Sequence, residues 1–452
     1  MIKKDLFLDL LSYLPGGIAY IPFKKIMLGE IFRDWTRTIE KVSGYGKEAI
    51  LEYHFSSFRN LVEKAYDLTE FYRQKYDKAG FSPDQLKEIK DIKKVPYLTR
   101  KEIQEHAGSM ILKNSGLKCL YRVFTSGTGS TPLSLYADID SRIREWASLC
   151  YVWKKTGYKP GDARVEFRGK IRKEKFCQWR PELRALRVNI RAINDANVEF
   201  LNKQINKREI KYFNGYPWSI YRYAMELKRK GIYPIKNIMG IMTSGGTIYA
   251  WQVNLMKEVF PEADILSFYG MSEKAALGMI DLTNNSCNFL PAYSLVERDN
   301  EGFLVGTSFV NTVMPLIRYR TDDLIGALKL DKGTDSFEQY FPVTDNYIGR
   351  KNEQLWDDKE RLVSKAAIER VFAEHDDIKM SKIIQGSSGE LEIIIEPIDI
   401  VYSKEVQRWE GLRRNLRNIL GENARINIEF TENMPYGDKT KYQWIESNIK
   451  RE

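Results

Sequence analysis

Four short stretches place chemically able side chains at close spacing. In FTSGTGSTPLSLY (124–136), glycines alternate with Ser and Thr hydroxyls. Glycine reaches positive φ, and a loop of this make-up gathers backbone N–H groups and short hydroxyls as a phosphate demands. It is not a Walker loop, because no Gly-Lys-Ser/Thr closes it. LYRVF before it and LSLY after it predict two strands with the loop at a hairpin tip, so an ordinary surface turn is the competing reading. In LSFYGMSEKAALG (266–278), Tyr269 could cover a flat base and Glu273 could hold Mg²⁺, a cation that takes one or two carboxylates beside phosphate oxygens. MPLIRYRTDDLIG (314–326) sets Asp322 and Asp323 at a strand end, where a carboxylate can accept both hydroxyls of a ribose. MPYGDKTKYQWI (434–445) puts Lys439 and Lys441 on a turn before a strand. Singly, each also reads as ordinary structure: a tyrosine in a core, two turn aspartates, two solvated lysines.

The elements that must position these groups follow from periodicity. AILEYHFSSFRNLVEKAYDLTEFYRQKYDKAG (49–80) keeps an apolar or aromatic residue every three to four positions, which predicts helix, and SPDQLKEI (82–89) predicts another from its Ser cap, early Pro and acids. From 116 to 330, strand and helix patterns alternate. SRIREWASLCYVWKKTG and WSIYRYAMELKRKG each end in glycine as helices do, NVEFLNKQINKR is amphipathic, YFNGYP is strand then turn, and NIMGIMTSGG leads into WQVNLMKEVF. That alternation predicts a layered α/β core. SLVERDNEGFLVGTSFV and LIRYR then predict a small antiparallel sheet or barrel. After YIGRKNEQLW, a hairpin (382–397), a helix (403–420) and a strand (424–430) form a tail long enough for its own core. We therefore expect a large domain over 1–348 and a small one over 349–452.

Composition narrows the classes. The chain has 452 residues, 43% hydrophobic and 12% aromatic, which excludes disorder and predicts two or three domains. Its 71 basic and 61 acidic groups leave +10, a mild excess that anionic nucleotides satisfy without nucleic acid. The run RGKIRKEKF (168–176) mixes acids with bases and reads as a solvated face or the rim of an anionic substrate's site. Cys119, Cys150, Cys177 and Cys287 contain no CxxC pair, so neither a zinc site nor a disulfide framework is expected and a reducing, cytoplasmic setting fits. In the N-terminal MIKKDLFLDLLSYLPGGIAYIPFKK, Asp5, Asp9 and Pro15 break the apolar run; it reads as a packed helix or a peripheral membrane contact rather than a span.

The order of the motifs is more specific than any one. Phosphate loop, aromatic-Gly-x-Ser-Glu, Arg-Tyr-Arg-Thr-x-Asp, Gly-Arg at a domain boundary and a lysine turn near the C-terminus together resemble the adenylate-forming superfamily of acyl-CoA synthetases, adenylation domains and luciferases. EFYRQKYDKAGFSPDQLKEIKDIKKVPYLTRKEI, GYPWSIYRYA and NTVMPLIRYRT resemble its phenylacetate-CoA ligase-like branch, particularly the CapK-like capsular polysaccharide biosynthesis proteins. The resemblance runs from about residue 50 to the end and implies an adenylate-forming fold: a large layered α/β N-terminal domain with a small β-barrel-like part, and a mobile α+β C-terminal domain.

It also implies roles. Ser126, Gly127, Thr128, Gly129, Ser130 and Thr131 would wrap the phosphates of ATP, with Gly245 and Gly246 on one side of adenine and Tyr269, Gly270 and Ser272 on the other. Glu273 would bind Mg²⁺, Asp323 the ribose, and Arg350 the ribose and phosphate, while Asn352 stands at the hinge. Lys441, or Lys439 in its place, would be the catalytic lysine, and Trp218, Met271 and Ala275 would line the pocket unless Trp218 is core. The implied substrate is a small carboxylic or amino acid and the implied acceptor a sugar nucleotide or glycan precursor, with a phenylacetate-type acyl-CoA ligase or an adenylyltransferase acting on a hydroxyl as the alternatives. CoA is a secondary candidate, because WDDKER (356–361) reads as a tight charged hairpin where CoA-using members carry a glycine-containing loop. Three departures stand out: Asp322 beside Asp323 where many members have glycine, Thr440 for the glycine before the lysine, and Gly246 for a frequent glutamate.

Overall fold

The computed structural model describes residues 24–113, 120–125, 133–168, 175–332, 340–350, 353–363, 365–375, 377–432, 434 and 442–449. The N-terminal segment to residue 23, most of the basic run (169–174), the phosphate loop Ser126–Thr131, Asn352, Lys439 and Lys441 lie outside them. The chain divides into two compact units, one of residues up to Gly245 with Met256–Ile348, the other of Gly246–Leu255 with Gly349 onward.

The first unit begins with α1 (Glu30–Ser43), α2 (Lys47–Leu68) and α3 (Glu70–Lys78). The long periodic stretch splits at Thr69 because its hydroxyl donates back to the Ala65 carbonyl at 2.7 Å and accepts the Tyr72 N–H at 3.1 Å, ending one helix while capping the next. The expected helix over 82–89 does not form. The Asp91 carboxylate takes the N–H groups of Lys87 and Glu88 at 2.8 and 3.0 Å, and Lys94 pairs with its other oxygen at 2.8 Å. Those donors are lost to helical bonding, and two short 3-10 turns, Pro83–Gln85 and Ile89–Lys94, replace the helix. A capping box between Thr99 and Glu102 then opens α4 (Arg100–His106). The strands β1 (Tyr121–Phe124) and β2 (Ser134–Ala137) pair antiparallel on either side of the phosphate loop.

After α5 (Ile139–Trp153) come β3 (Arg164–Phe167), β4 (Cys177–Arg180), β5 (Ala185–Val188), α6 (Asp195–Lys207), β6 (Tyr212–Gly215), α7 (Pro217–Arg229), β7 (Gly240–Thr243), α8 (Ala250–Val259), β8 (Asp264–Gly270), β9 (Leu277–Ile280) and β10 (Cys287–Phe289). With β14 (Leu328–Lys332) and β15 (Tyr340–Thr344) they build a ten-stranded sheet in the order β14-β15-β10-β9-β8-β7-β6-β3-β5-β4. The block β5-β3-β6-β7-β8 is parallel throughout. Its order reverses once: the chain passes from β3 to β5 on one side, then returns through α6 to lay β6 on the other. A reversal of this kind leaves a crevice at the carboxyl ends of the two strands, where ligands of open α/β sheets sit. Gly215 closes the spacing there, since a Cβ on it would stand 2.5 Å from that of Phe167.

A second sheet of order β11-β12-β13-β16 joins β11 (Ser294–Arg298), β12 (Phe303–Ser308) and β13 (Tyr319–Ile325) to β16 (Tyr347–Arg350), along which the chain passes out of the first unit. Strand alternation settles the adjacent acids of β13: Asp322 is exposed and Asp323 buried, so their charges face opposite sides.

In the second unit, β17 (Leu355–Trp356) and β18 (Leu362–Val363) form the hairpin expected of WDDKER. Asp357 at its turn accepts N–H groups from Lys359 and Arg361 at 3.0 and 2.7 Å. Asp358 follows, its N–H on the Leu420 carbonyl at 2.8 Å. A sheet of order β21-β20-β19-β22 comprises β19 (Ile378–Gln385), β20 (Glu390–Pro397), β21 (Arg425–Phe430) and β22 (Ile445–Ser447), accompanied by α9 (Lys365–Ala373) and α10 (Val406–Leu420). Trp444 packs edge-on against Tyr249 at 4.6 Å and Phe372 at 5.3 Å between ring centroids.

Candidate active site

Several residues named from the sequence meet where β8 runs into the Met271–Lys274 turn. The apolar strand β8 carries Tyr269 into the interior, and its hydroxyl donates to Asp323 Oδ2 at 2.6 Å. The ring has Phe289 edge-on at 6.0 Å and Tyr347 tilted at 5.2 Å. Burial, and then the neighbouring Asp323 carboxylate, hold the Tyr269 hydroxyl well above its ordinary pKa, so it stays a donor. A carboxylate accepting one such bond keeps lone pairs for ribose hydroxyls.

Gly270 ends β8, Ser272 is exposed and Met271 half-buried. Lys274 closes the turn at φ 58° and reaches Glu145 at 3.4 Å, a left-handed conformation that non-glycine residues rarely adopt. Glu273 points where the guanidinium of Arg100 stands 3.8 Å away. Tyr319 shares this corner: burial raises its hydroxyl pKa, Glu273 adds to the rise and Arg100 opposes it. Among the described residues no group of three His, Cys, Asp or Glu comes together to hold a metal. A single shielded carboxylate nevertheless fits Mg²⁺ that arrives with a nucleotide, whose phosphates and water complete the shell. Ala275 is fully buried and packed against Gly306, where a Cβ would lie 2.4 Å from the Ala275 carbonyl oxygen.

The rest of the candidate set lies at other strand ends. Gly245 follows β7 with φ 77°, and Gly246 opens the segment grouped with the second unit. Trp218 is the second residue of α7, 6% exposed and edge-on to Tyr221 at 5.6 Å. Arg350 ends β16 in the second unit.

Two arginines escaped the sequence reading. Arg100 was hidden in a helix start, its neighbour Glu273 being distant in sequence. Arg168 stands first in the charged run 168–176, directly after β3. It donates to Ser244 Oγ at 2.5 Å and lies 5.8 Å from the centre of the Tyr216 ring. A polar residue immediately beyond a short apolar strand was the available signal.

No family model matches the sequence, and no curated protein matches it. Solved structures do. This chain is similar to 2-hydroxyisobutyryl-CoA ligase in the postadenylation state in complex with 2-HIB-AMP, at 17% identity and a TM-score of 0.71, over 90% of this chain and 92% of that one. The same ligase in complex with R3-HIB-AMP gives 17% identity, the same coverage and a TM-score of 0.70. The chain therefore has the α/β adenylate-forming fold, with a large N-terminal and a smaller C-terminal domain.

Proposed function

We propose that this chain is an ATP-dependent ligase that adenylates a small carboxylic acid and passes the acyl group to an acceptor. The observation that carries the reading is the Tyr269–Asp323 pair, which ties the end of β8 to β13 in a fold shared, at 90% coverage, with a ligase solved in complex with 2-HIB-AMP. A substrate carboxylate oxygen attacks the α-phosphorus of ATP, the bond to the β-phosphate oxygen breaks, and pyrophosphate leaves. The acceptor then attacks the acyl carbon, and AMP departs with the carboxylate oxygen.

In this reading Asp323 takes the ribose and Tyr269 fixes the carboxylate's orientation. Gly245 and Gly270 let backbone approach the base, and Ser126–Thr131 take the phosphates. Glu273 would hold Mg²⁺, which supplies charge compensation when two anions meet. The ammonium of Lys441, with Lys439 as the alternative, offsets charge at the bridging oxygen. Arg350 takes the ribose and phosphate side, and Asn352 sits at the hinge between domains. Met271, Ala275 and Trp218 belong to the acyl pocket. The phenylacetate-CoA ligase-like branch, and within it the CapK-like proteins, is the placement the sequence motifs favour.

For the acceptor, an amine or hydroxyl of a sugar nucleotide or glycan precursor is favoured by the WDDKER hairpin. That hairpin is pinned within its own unit, since a Cβ on Gly421 would meet the Asp358 carboxyl at 2.1 Å. A CoA thioester product is the second reading, favoured by the likeness to a CoA ligase. Acid-dependent exchange of labelled pyrophosphate into ATP tests adenylation. Lys441→Ala should lower it roughly 10²- to 10³-fold, as loss of one fixed transition-state donor does. Exchange without dependence on any acid, or untouched by substitution of either lysine, would overturn the assignment.

A further inference from the structure

At the β3/β6 reversal stands a guanidinium that forms no ion pair with a described carboxylate. Arg168 is the first residue beyond β3 and Tyr216 the first beyond β6, and the Tyr216 N–H bonds the Phe167 carbonyl at 3.2 Å, so the two stand side by side. The Arg168 side chain crosses the end of β6 to reach Ser244, beyond β7, whose hydroxyl is neutral. Glu166, two residues earlier on β3, is held by Arg164 at 2.6 Å and Arg187 at 2.9 Å. Arg168 itself forms no ion pair with a described carboxylate.

The residue is open to solvent, yet desolvation by the surrounding protein lowers its pKa below the ordinary arginine value. α7 starts one residue past Tyr216 with no side-chain cap, and Trp218 lies in its first turn. A helix start adds the partial positive charge of its N–H groups. Arginine's planar fork matches a carboxylate in two parallel bonds, and the bond to Ser244 uses only one of its five donor hydrogens.

We propose that Arg168 reads the far end of the acyl substrate, and that the acid this chain activates carries a second carboxylate, which the guanidinium takes in the crevice between β3 and β6. This rests on the carboxylate-adenylation reading above. Ser244, 5% exposed, fixes the guanidinium, and Tyr216 flanks it.

The test uses the full chain and a series of straight dicarboxylic acids with two to six carbons, each paired with its monomethyl ester. Binding is measured by calorimetry and activation by pyrophosphate exchange, for wild type and Arg168→Met, with Arg168→Lys as the charge-retaining control. Expected is a preference for one diacid over its ester. Arg168→Met should cost roughly 10- to 100-fold for the diacid, the range for losing a bond to a charged group. The loss should fall on KM rather than kcat, leave the ester unchanged, and be partly restored by Arg168→Lys. Diacid binding that depends on Arg168 without any exchange would uphold the site and sink adenylation. Equal use of diacid and ester, or an equal loss for both in Arg168→Met, would overturn the proposal even where exchange is robust.

Discussion

Asp323 and Arg168 are both charged groups of the first unit, Asp323 within β13 rather than at the strand end the sequence suggested and Arg168 directly after β3, and the structure treats them in opposite ways. Asp323 is 9% exposed and already accepts the hydroxyl of Tyr269, whose ring in turn packs against Phe289 and Tyr347. Arg168 is open to solvent, with a neutral serine as its hydrogen-bond partner. The difference is informative about what each waits for. A carboxylate that meets the same sugar in every turnover gains from being fixed in advance, since preorganised groups need not reorient at the moment of reaction. A guanidinium left without its counter-charge retains most of its donors for a ligand that brings one.

The comparison can be broken at either end. The largest effect should come from Asp323→Ala, which removes the proposed ribose acceptor and strips the buried Tyr269 hydroxyl of its partner. Apparent affinity for ATP, read by calorimetry, should fall roughly 10- to 100-fold, as when a bond to a charged group is lost. Unchanged affinity would remove Asp323 from the nucleotide site. Arg168→Met follows, with its loss confined to the diacid. Tyr269→Phe should be milder, about 2- to 10-fold in ATP affinity, because the ring stays and one neutral donor goes. A loss matching Asp323→Ala would mean that Tyr269 touches the nucleotide itself.

A separate effect, on stability rather than on binding, lies in the second unit. Glu369 on α9 has its pKa pushed up to about 7 by desolvation, against the opposing pull of the Ala250 N–H it accepts. The folded protein thus binds a proton more tightly there than the unfolded chain does. Stability from this group is fully present below the unfolded value near 4.5 and is lost as pH rises through about 7. Denaturant midpoints between pH 5 and 8 should show that decline, and Glu369→Gln should flatten it; a rise over the same range would reverse the sign of the account.

Much of the fold was legible because local signals agreed with tertiary ones. Glycine-terminated amphipathic segments became α5 and α7, and apolar runs ending in small residues became β6 and β7. The tail's hairpin, helix and strand followed the same logic. The segment 82–89 failed because the acid that empties the helix's donors, Asp91, lies beyond the stretch that looked helical. At the site, the acid of YGMSE and the second Asp of RTDD were visible as types. That Asp323 turns inward and Asp322 outward needed the register of β13. Arg168 was legible only as part of the run 168–176, which read as a solvated face or the rim of an anionic substrate's site; its own place comes from sheet order, because the reversal at β3 and β6 is a property of which strands are neighbours.

In the proposed reaction a carboxylate oxygen attacks the α-phosphorus. Incubating the protein with ATP, Mg²⁺, its acceptor and the acid labelled with ¹⁸O in the carboxylate, then weighing the released nucleotide by mass spectrometry, tests that bond directly. The account predicts AMP carrying one ¹⁸O from the acid, since the acceptor cleaves the acyl carbon–oxygen bond. Release of ADP, or of AMP free of label, would contradict it.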